Sequence, residues 1–184
     1  MPDDCQNTIS APELPGFKAA ISPFLKTRYI QVQEYIDYGT HSHNIDVILP
    51  SGIPRLRLSI ELDFEKIIPM PEPIQRTRRE EFCELGPRGK ALREENYWKF
   101  GFKDWYDWSS EHWGTKWNSY YGRFVENETA FFFSTAWDPP FPIVRKLAEL
   151  LNSPVQLEYF DYDIEGRALF QPNGGMEDSR HKWI

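Results

Sequence analysis

The sequence predicts an α+β fold in which helices pack against an antiparallel sheet. In Leu56–Phe64, apolar residues at every second position alternate with charged or polar ones, which is typical of a strand with one buried face. The run FFFSTAW at residues 131–137 is rich in aromatic residues and predicts a central, buried strand. Between Ile143 and Leu151 the apolar residues recur at helical spacing instead.

The N-terminal part predicts a leader, a helix and a short strand. Met1–Gly16 contains acidic residues, prolines and a glycine, and we interpret it as a flexible leader. Phe17–Tyr38 has apolar residues close to the 3.6-residue period, so we expect a helix that Pro23 interrupts. Gly39–Asn44 is typical of a turn, and Ile45–Leu49 predicts a strand before the turn residues PSGIP.

The middle of the chain predicts a crossing segment and then helices. Pro69, Pro71 and Pro73 disfavour both a helix interior and a central strand, so we expect a fixed extended segment across the sheet edge. Charged helix-forming residues dominate Thr77–Cys83 and Gly89–Phe100. These two stretches predict helix or broken helix.

A short helix is predicted over Trp105–His112. Asp104 precedes it at the position of an N-cap, and Gly114 follows it at the left-handed position that ends many helices. After this helix, Asn118–Val125 and Thr129–Ala136 are separated by three residues, which is a hairpin-length break.

The C-terminal part predicts one helix, two strands and a tail. The amphipathic helix at residues 143–151 has its prolines at the start, where they are tolerated. Val155–Tyr162 and the segment from Gly166 to Phe170 predict the last strands. The sequence NGGMEDSRHKWI is polar and rich in glycine, so we expect a loose tail unless Trp183 docks.

The predicted order of elements narrows the fold class. From Leu56 onward the order is strand, helix, strand, strand, helix, strand. This is the split βαβ order of a ferredoxin-like sandwich, in which two helices cover one face of an antiparallel sheet. We therefore expect an N-terminal helical and strand extension at 1–53, a ferredoxin-like domain at 54–171 and a loose tail at 172–184.

Length and charge restrict the classes of function. The 184 residues suffice for one domain with a full core, and the net charge of -7 disfavours non-specific binding to DNA or anionic membranes. Cys5 and Cys83 are the only cysteines, which indicates free thiols in a reducing compartment. The N-terminus lacks the pattern of a signal peptide, and no apolar run approaches the roughly 20 residues of a membrane span. We expect a cytoplasmic protein that does not contact membranes.

Aromatic residues concentrate in Tyr97–Tyr121, which contains 11 of the chain's 29 Trp, Tyr and Phe residues. Large rings bury much apolar area, and Trp and Tyr also dominate the energetics of protein interfaces. This aromatic block therefore predicts either the centre of the core or a recognition surface.

The candidate binding residues lie inside this block and are Trp108, His112, Trp113, Lys116, Trp117 and Asn118. Lys116 stands between two tryptophans and can present a cation beside a π face, while Asn118 adds hydrogen bonds. Such a set suits a nucleobase or a peptide. The alternative, which we favour, is that both tryptophans fill the core while the polar residues satisfy backbone groups of a turn.

Other titratable clusters are interpreted mainly as structural. His41 and His43 with Asp46 could hold a divalent metal, but they show no obvious further ligand, and we predict no metal site. The six basic residues among residues 76–93 are nearly cancelled by neighbouring glutamates, which predicts a salt-bridged surface. No phosphate loop, dinucleotide fingerprint, serine elbow or zinc-protease helix is present, and we predict no cofactor.

Three acidic residues, Asp104, Asp107 and Glu111, share one side of the predicted short helix. With His112 beside Glu111, they could carry out acid and base chemistry. Helix capping, dipole complementarity and solvation explain the acids more simply, and structural hydrogen bonding explains the histidine.

Three segments together resemble one protein family. They are Leu62–Ile74, Trp105–Tyr120 and Phe131–Leu150. In order and rough spacing they are similar to the ferredoxin-like domain of Api-ninety-two-like proteins, a phage and mobile-element family. The resemblance implies a ferredoxin-like fold and a phage, plasmid or prophage origin, and it carries no catalytic residues over. The N-terminal part departs from the family's opening and retains only its start and Cys5.

We therefore expect a non-enzymatic binding protein of a phage or mobile element. Its acidic surface would engage a host or phage protein, for example to inhibit a host defence or regulatory protein. One alternative is a single-stranded nucleic-acid-binding module, since a ferredoxin-like sheet can stack bases on exposed rings, although the net charge disfavours it. Another is a small enzyme using Asp107, Glu111 and His112. A homodimer is a further expectation that the sequence leaves open.

Overall fold

The computed structural model describes residues 4–31, 46–47, 56–79, 86–161 and 164–182. Its strands are β1 Asp4–Ser10, β2 Leu25–Gln31, β3 Asp46–Val47, β4 Leu56–Leu62, β5 Tyr120–Val125, β6 Ala130–Ala136, β7 Val155–Phe160, β8 Ile164–Phe170 and β9 Met176–Lys182. Its helices are α1 Phe17–Ile21, α2 Phe64–Ile67, α3 Glu72–Arg76, α4 Pro87–Phe100, α5 Trp105–Trp113 and α6 Phe141–Leu151.

All the strand pairs among these residues are antiparallel, so the predicted α+β class with an antiparallel sheet is confirmed. The strands lie side by side in the order β2-β4-β5-β6-β1-β7-β8-β9, and β3 pairs with β4. From Leu56 onward the elements follow the predicted order: strand β4, helices α2 to α5, strands β5 and β6, helix α6 and strand β7. Strand β1 precedes this series and lies between β6 and β7 in the sheet.

The prediction of a flexible leader is wrong for Asp4–Ser10. This segment forms β1 in the middle of the sheet, between β6 and β7. Cys5, Asn7 and Ile9 are all fully buried. Asn7 is polar, so the sequence does not show the alternation of apolar and polar residues that is typical of a strand. Its burial is possible because Nδ2 donates hydrogen bonds to Thr135 Oγ1 at 2.9 Å and to the Cys5 carbonyl at 3.0 Å.

The predicted helix at Phe17–Tyr38 ends much earlier than expected. α1 stops at Ile21, a single 3₁₀ turn at Ser22–Phe24 contains Pro23, and β2 follows. Proline in this turn ends the helix because it has no N–H group to donate to the carbonyl four residues earlier. The rest of that prediction, residues 32–38, lies outside the described residues.

The proline-rich crossing is also corrected. Phe64–Ile67 and Glu72–Arg76 are helices rather than extended chain. Pro71 is the N-cap of α3 and Pro73 lies in its first turn. Backbone N–H groups in the first turn of a helix make no intrahelical hydrogen bond, so the helix loses nothing when proline lacks one. Proline at every second position is therefore compatible with a helix start.

The helices predicted around the aromatic block are confirmed. α4 and α5 lie where expected, and the Asp104 carboxylate accepts hydrogen bonds from the N–H groups of Tyr106 and Asp107. Gly114 adopts the left-handed conformation with φ of 76°. The predicted helix Thr77–Cys83 is not observed at residues 77–79, which form a turn, and its remainder lies outside the described residues.

The tail is ordered rather than loose over Met176–Lys182. This segment forms β9, which pairs with β8 along its whole length. The turn that reverses the chain is closed by the Gln171 N–H, which donates to the Gly175 carbonyl at 2.8 Å. None of the helices in the described ranges is long and apolar enough to cross a membrane.

The core lies on one face of the sheet. Buried side chains of β1 and β6 belong to the same hydrophobic cluster as the buried residues of α6, which are Ile143, Val144, Leu147 and Ala148. The opposite face of β1 carries Gln6 and Thr8, which are exposed or half-buried.

Replacing Ile9 by alanine should lower the free energy of unfolding by about 2–5 kcal/mol, because it removes buried apolar atoms and leaves a cavity in the core. Thr8→Ala, one residue away on the open face, should cost no more than about 1 kcal/mol. Urea denaturation followed by circular dichroism measures both. Equal, small effects would contradict the placement of β1 in the core.

Candidate functional site

The two tryptophans at the centre of the aromatic block belong to the core. Trp108 and Trp113 are 4% and 0% exposed. The Trp113 ring contacts Phe64 and Trp108 edge-to-face at 5.8 and 5.7 Å, and its Nε1 donates to the Ile68 carbonyl at 2.9 Å. Trp113 joins α5 to α2 and to Ile68, which follows it, and both buried rings are unavailable to a partner.

Asn118 has a structural role. Its Oδ1 accepts hydrogen bonds from the N–H groups of Phe64 and Ser119, each at 2.9 Å. Its Nδ2 donates to Asp63 Oδ1 at 2.8 Å. The side chain therefore ties the segment between α5 and β5 to the start of α2.

Lys116 lies among three exposed aromatic rings. Its Nζ is 4.6 Å from the centroid of Trp117, 5.2 Å from that of Trp137 and 5.4 Å from that of Tyr106. The rings of Trp117, Trp137 and Tyr106 are 40%, 38% and 40% exposed. Within the described residues the ammonium has no carboxylate partner. We call Tyr106, Lys116, Trp117 and Trp137 the Lys116 patch.

The loop that carries Lys116 is held on both sides. Ser109 Oγ donates to the Lys116 carbonyl at 2.9 Å, and Thr115 Oγ1 donates to the Ala136 carbonyl at 2.8 Å. At Gly114 a Cβ would lie 2.8 Å from Pro142 Cδ, so the loop approaches the start of α6 closely. The backbone beneath the patch is therefore fixed by packing and hydrogen bonds.

Trp137 adopts a strained backbone conformation. Its φ is 70°, which is uncommon for a bulky residue, and the Asp138 N–H donates to the Ala136 carbonyl at 3.0 Å across it. An i to i+2 hydrogen bond with a positive φ is the rare, strained form of the γ-turn. Thr135 Oγ1 donates to the Asp138 carbonyl at 2.8 Å and holds the turn closed. Such strain persists where the surrounding structure imposes it, often at functional sites.

His112 is held by its neighbours rather than placed in an acidic cleft. Its ring stacks on Trp108 with centroids 4.2 Å apart and meets Phe102 edge-to-face at 5.0 Å. Its Nδ1 is 3.0 Å from the Trp108 carbonyl, to which it donates when protonated. Asp107 and Glu111 are exposed on α5.

The other titratable clusters of the sequence analysis are placed only in part. Among the residues that the structure describes, no group of three or more His, Cys, Asp or Glu could hold a metal ion. His41 and His43 lie outside those residues, and Asp46 lies in β3. In the basic stretch, Arg93 pairs with Asp104 at 3.2 Å and Arg76 with Glu72 at 3.8 Å, in line with a salt-bridged surface.

A second surface is the open face of the sheet. It forms a groove of about 570 Å³ whose lining includes Gln6, Thr8, Phe132, Glu158, Phe160, Glu165, Arg167 and Ser179. We call it the sheet-face groove. Phe160 is 47% exposed, and the Arg123 guanidinium lies 3.9 Å from the centroid of Phe132.

Part of the chain is similar to a known protein family. Residues 112–182 match the family model described as the ferredoxin-like domain in Api92-like protein. The predicted family resemblance is confirmed for this segment. No curated protein and no solved structure shows a significant match.

The Api92-like segment contains most of the Lys116 patch. It begins at His112 and includes Lys116, Trp117 and Trp137, together with the strands β5 to β9. Tyr106 and the central strand β1 lie outside the match. Strand β1, which precedes the matched residues in the chain, therefore lies between two of their strands, β6 and β7.

Two of the patch residues were missed by sequence reasoning. Tyr106 is one of many rings in the aromatic block, and nothing in the sequence singles it out. Trp137 lies about twenty residues from Lys116 along the chain, and its turn is recognised only from its positive φ in the structure. Phe132 was detectable, since alternation in FFFSTA places it on the face opposite Phe131 and Phe133.

Replacing Trp137 by glycine should give a more stable protein than replacing it by alanine, by about 1 kcal/mol, because only glycine adopts a positive φ without steric cost. At Trp117, which lacks a positive φ, the order should reverse, with alanine the more stable. Thermal and urea unfolding of the four variants measure this. The same order at both positions would contradict the strained turn.

Proposed function

We propose that this chain is a non-enzymatic binding protein of a phage or mobile element and that it contacts a host protein through the Lys116 patch. The observation that carries the proposal is the grouping of three half-exposed rings around one ammonium without a carboxylate partner in the described residues. Trp and Tyr are the residues most enriched where interfaces gain their affinity.

The rigidity of the patch supports the same proposal. Side chains that lose little freedom on binding contribute more affinity, because less conformational entropy is lost. Lys116 and Trp117 lie between anchored residues, since Thr115 and Asn118 are hydrogen-bonded to other segments. A contiguous exposed aromatic surface on such a fixed loop is typical of a contact site.

Charge suggests the kind of protein that binds. The chain has a net charge of -7, and Asp107 and Asp138 flank the patch residues Tyr106 and Trp137 in the sequence. The negative net charge of the chain attracts a basic partner over distances of about 8–10 Å at physiological salt. Inhibition of a host defence or regulatory protein is one form that this binding could take.

The enzymatic alternative with Asp107, Glu111 and His112 has less support. The His112 ring is covered by Trp108 on one side, and Nδ1 is directed at a backbone carbonyl. A general base needs a nitrogen within hydrogen-bond reach of its substrate. Only Nε2 is left for that role.

We also propose the finer fold arrangement, a ferredoxin-like sandwich with two helices on one face. Its strands would be β1, β5, β6 and β7, and its covering helices α5 and α6. Contacts between α5 and α6, and between α6 and both β7 and β8, support this arrangement. The family match to residues 112–182 supports it further.

The protein-binding proposal predicts that a host protein recovered in stoichiometric amount by the wild type is lost with Trp117→Ala. Loss of a Trp at the centre of an interface costs at least about 2 kcal/mol, which is a roughly 30-fold rise in Kd. Affinity capture from host lysate at low and moderate salt, followed by calorimetry with the purified partner, measures it.

The matched control is Phe132→Ala, which removes a ring from the open sheet face and should leave binding unchanged. Recovery of no stoichiometric partner at either salt concentration would reject the proposal. Equal losses with both variants would place the contact elsewhere.

A second candidate function, binding of single-stranded nucleic acid, is favoured by the sheet-face groove. Phe132 and Phe160 present rings on neighbouring parts of this face, and Arg123 stacks on Phe132. Rings on an open sheet can stack bases, and arginine adds charge. Glu158 and Glu165 line the same groove and weaken the attraction for phosphates.

This candidate predicts that a fluorescently labelled single-stranded oligonucleotide binds with salt-dependent affinity and that Phe132→Ala weakens binding by about tenfold, the loss of one stacked base. Fluorescence anisotropy measures it, with Trp117→Ala as the control that should bind normally. An oligonucleotide that causes no change in anisotropy at low salt would remove this candidate.

A further inference from the structure

A pocket adjoins the Lys116 patch at the start of α6. It has a volume of about 260 Å³, with apolar walls from Pro139, Phe141, Pro142 and Ile164 and with Asp138 and Arg180 as its charged residues. Asp138 follows Trp137 directly, so the strained turn joins the pocket to the patch. A concave, mostly apolar site with few polar groups is typical of a place where one side chain or small molecule binds.

The charge of Arg180 is already matched within the protein. Its Nη2 lies 3.3 Å from Asp178 Oδ2, and its Nε donates to the Tyr159 hydroxyl at 3.4 Å. The Tyr159 hydroxyl in turn donates to Asp178 Oδ1 at 2.8 Å. The guanidinium also lies 5.8 Å from the centroid of Phe141, which forms a wall of the pocket. Arg180 is therefore a paired part of the wall.

Asp138, in contrast, has no cation paired with its carboxylate in the described ranges. Its backbone N–H and carbonyl are used in the strained turn, while its side chain has neither an ion pair nor a hydrogen bond there. Burial raises the pKa of Asp138 above its ordinary value, and repulsion from Asp161 raises it further, while Arg180 opposes the shift. A partly desolvated carboxylate gains from an incoming cation.

We propose that this pocket receives a basic side chain, arginine or lysine, of the protein partner. Its aliphatic stem would lie against Phe141 and the prolines, and its charged head would reach Asp138. The charges of Asp161 and Arg180 both act on Asp138, and the Arg180 guanidinium is already paired with Asp178, so the Asp138 carboxylate favours a cation over an anion. The net charge of -7 acts in the same direction.

The inference rests on the proposed function, because the pocket borders the surface that we assign to the partner. It adds the chemistry of that partner. A basic segment would place one residue in the pocket and adjacent apolar groups on Trp137 and Trp117.

The experiment uses N-acetyl-arginine amide, N-acetyl-lysine amide and the uncharged isostere N-acetyl-citrulline amide as probes. ¹H–¹⁵N spectra of the whole chain are recorded during titration. The arginine or lysine probe should shift the amide signals of Asp138, Phe141 and Ile143 in a saturable way. Citrulline, which lacks the charge, should bind at least about fivefold more weakly, as expected for one ion pair near the surface.

Asp138→Asn should reduce the affinity for the charged probes by about the same factor, and Asp138→Glu should retain most of it because the charge is preserved. Glu95→Gln is the matched control, since it removes one charge from an exposed position on α4. Dispersed spectra of each variant establish that it folds.

Equal binding of citrulline and arginine, or equal binding by Asp138→Asn and Glu95→Gln, would overturn the inference. So would preferential binding of N-acetyl-aspartate amide, which carries the opposite charge. If the charged probes bind as expected but Trp117→Ala leaves partner binding intact, the pocket stands and the proposed contact surface fails. If no probe binds while Trp117→Ala abolishes partner binding, the proposed contact surface stands and the pocket inference fails.

Discussion

The structure depends on the attachment of α5 and the segment after it to the end of β4 and to α2. Trp113 fills the core beside Phe64 and donates its indole N–H to the Ile68 carbonyl. A few residues later, Ser119 Oγ accepts from the Leu62 N–H at 2.7 Å and donates to the Leu62 carbonyl at 3.0 Å. Buried hydrogen bonds of this kind are costly to break, because the freed groups find no water. They hold the chain at two points and define the short loop between them.

That loop explains why one aromatic block contains both core and surface. Trp113 points into the core, whereas Trp117, four residues later, lies outside it with 40% of its surface exposed. Lys116 lies beside the Trp137 ring, and Thr115 Oγ1 donates to the Ala136 carbonyl next to the strained turn, which holds the two segments together. Burial of one indole thus fixes the position of another, and the exposed surface is preorganised by the core beneath it.

The two faces of the sheet separate the two candidate functions. The Lys116 patch and the pocket at Asp138 lie near the start of α6, the helix that contributes to the core on the covered face. The open face bears Phe132 and Phe160 with acidic and basic neighbours. Since successive residues of a strand point to opposite faces, β6 contributes to both, with Phe131 and Phe133 inward and Phe132 outward. A change at Phe132 can therefore affect one surface without disturbing the other.

By itself the sequence determined the α+β class, the helices α4, α5 and α6, the strands β4 to β8 and a family resemblance that the family model confirms over residues 112–182. These features follow from local periodicity, from the Asp104 cap and the Gly114 helix end, and from the three segments that resemble the family. Tertiary structure alone decided that β1 and β9 belong to the sheet, and that Tyr106 and Trp137 join Lys116. The physical reason is that both depend on contacts between distant parts of the chain. Asn7 is a strand residue in the core only because Thr135 satisfies its amide, and no local pattern encodes that pair.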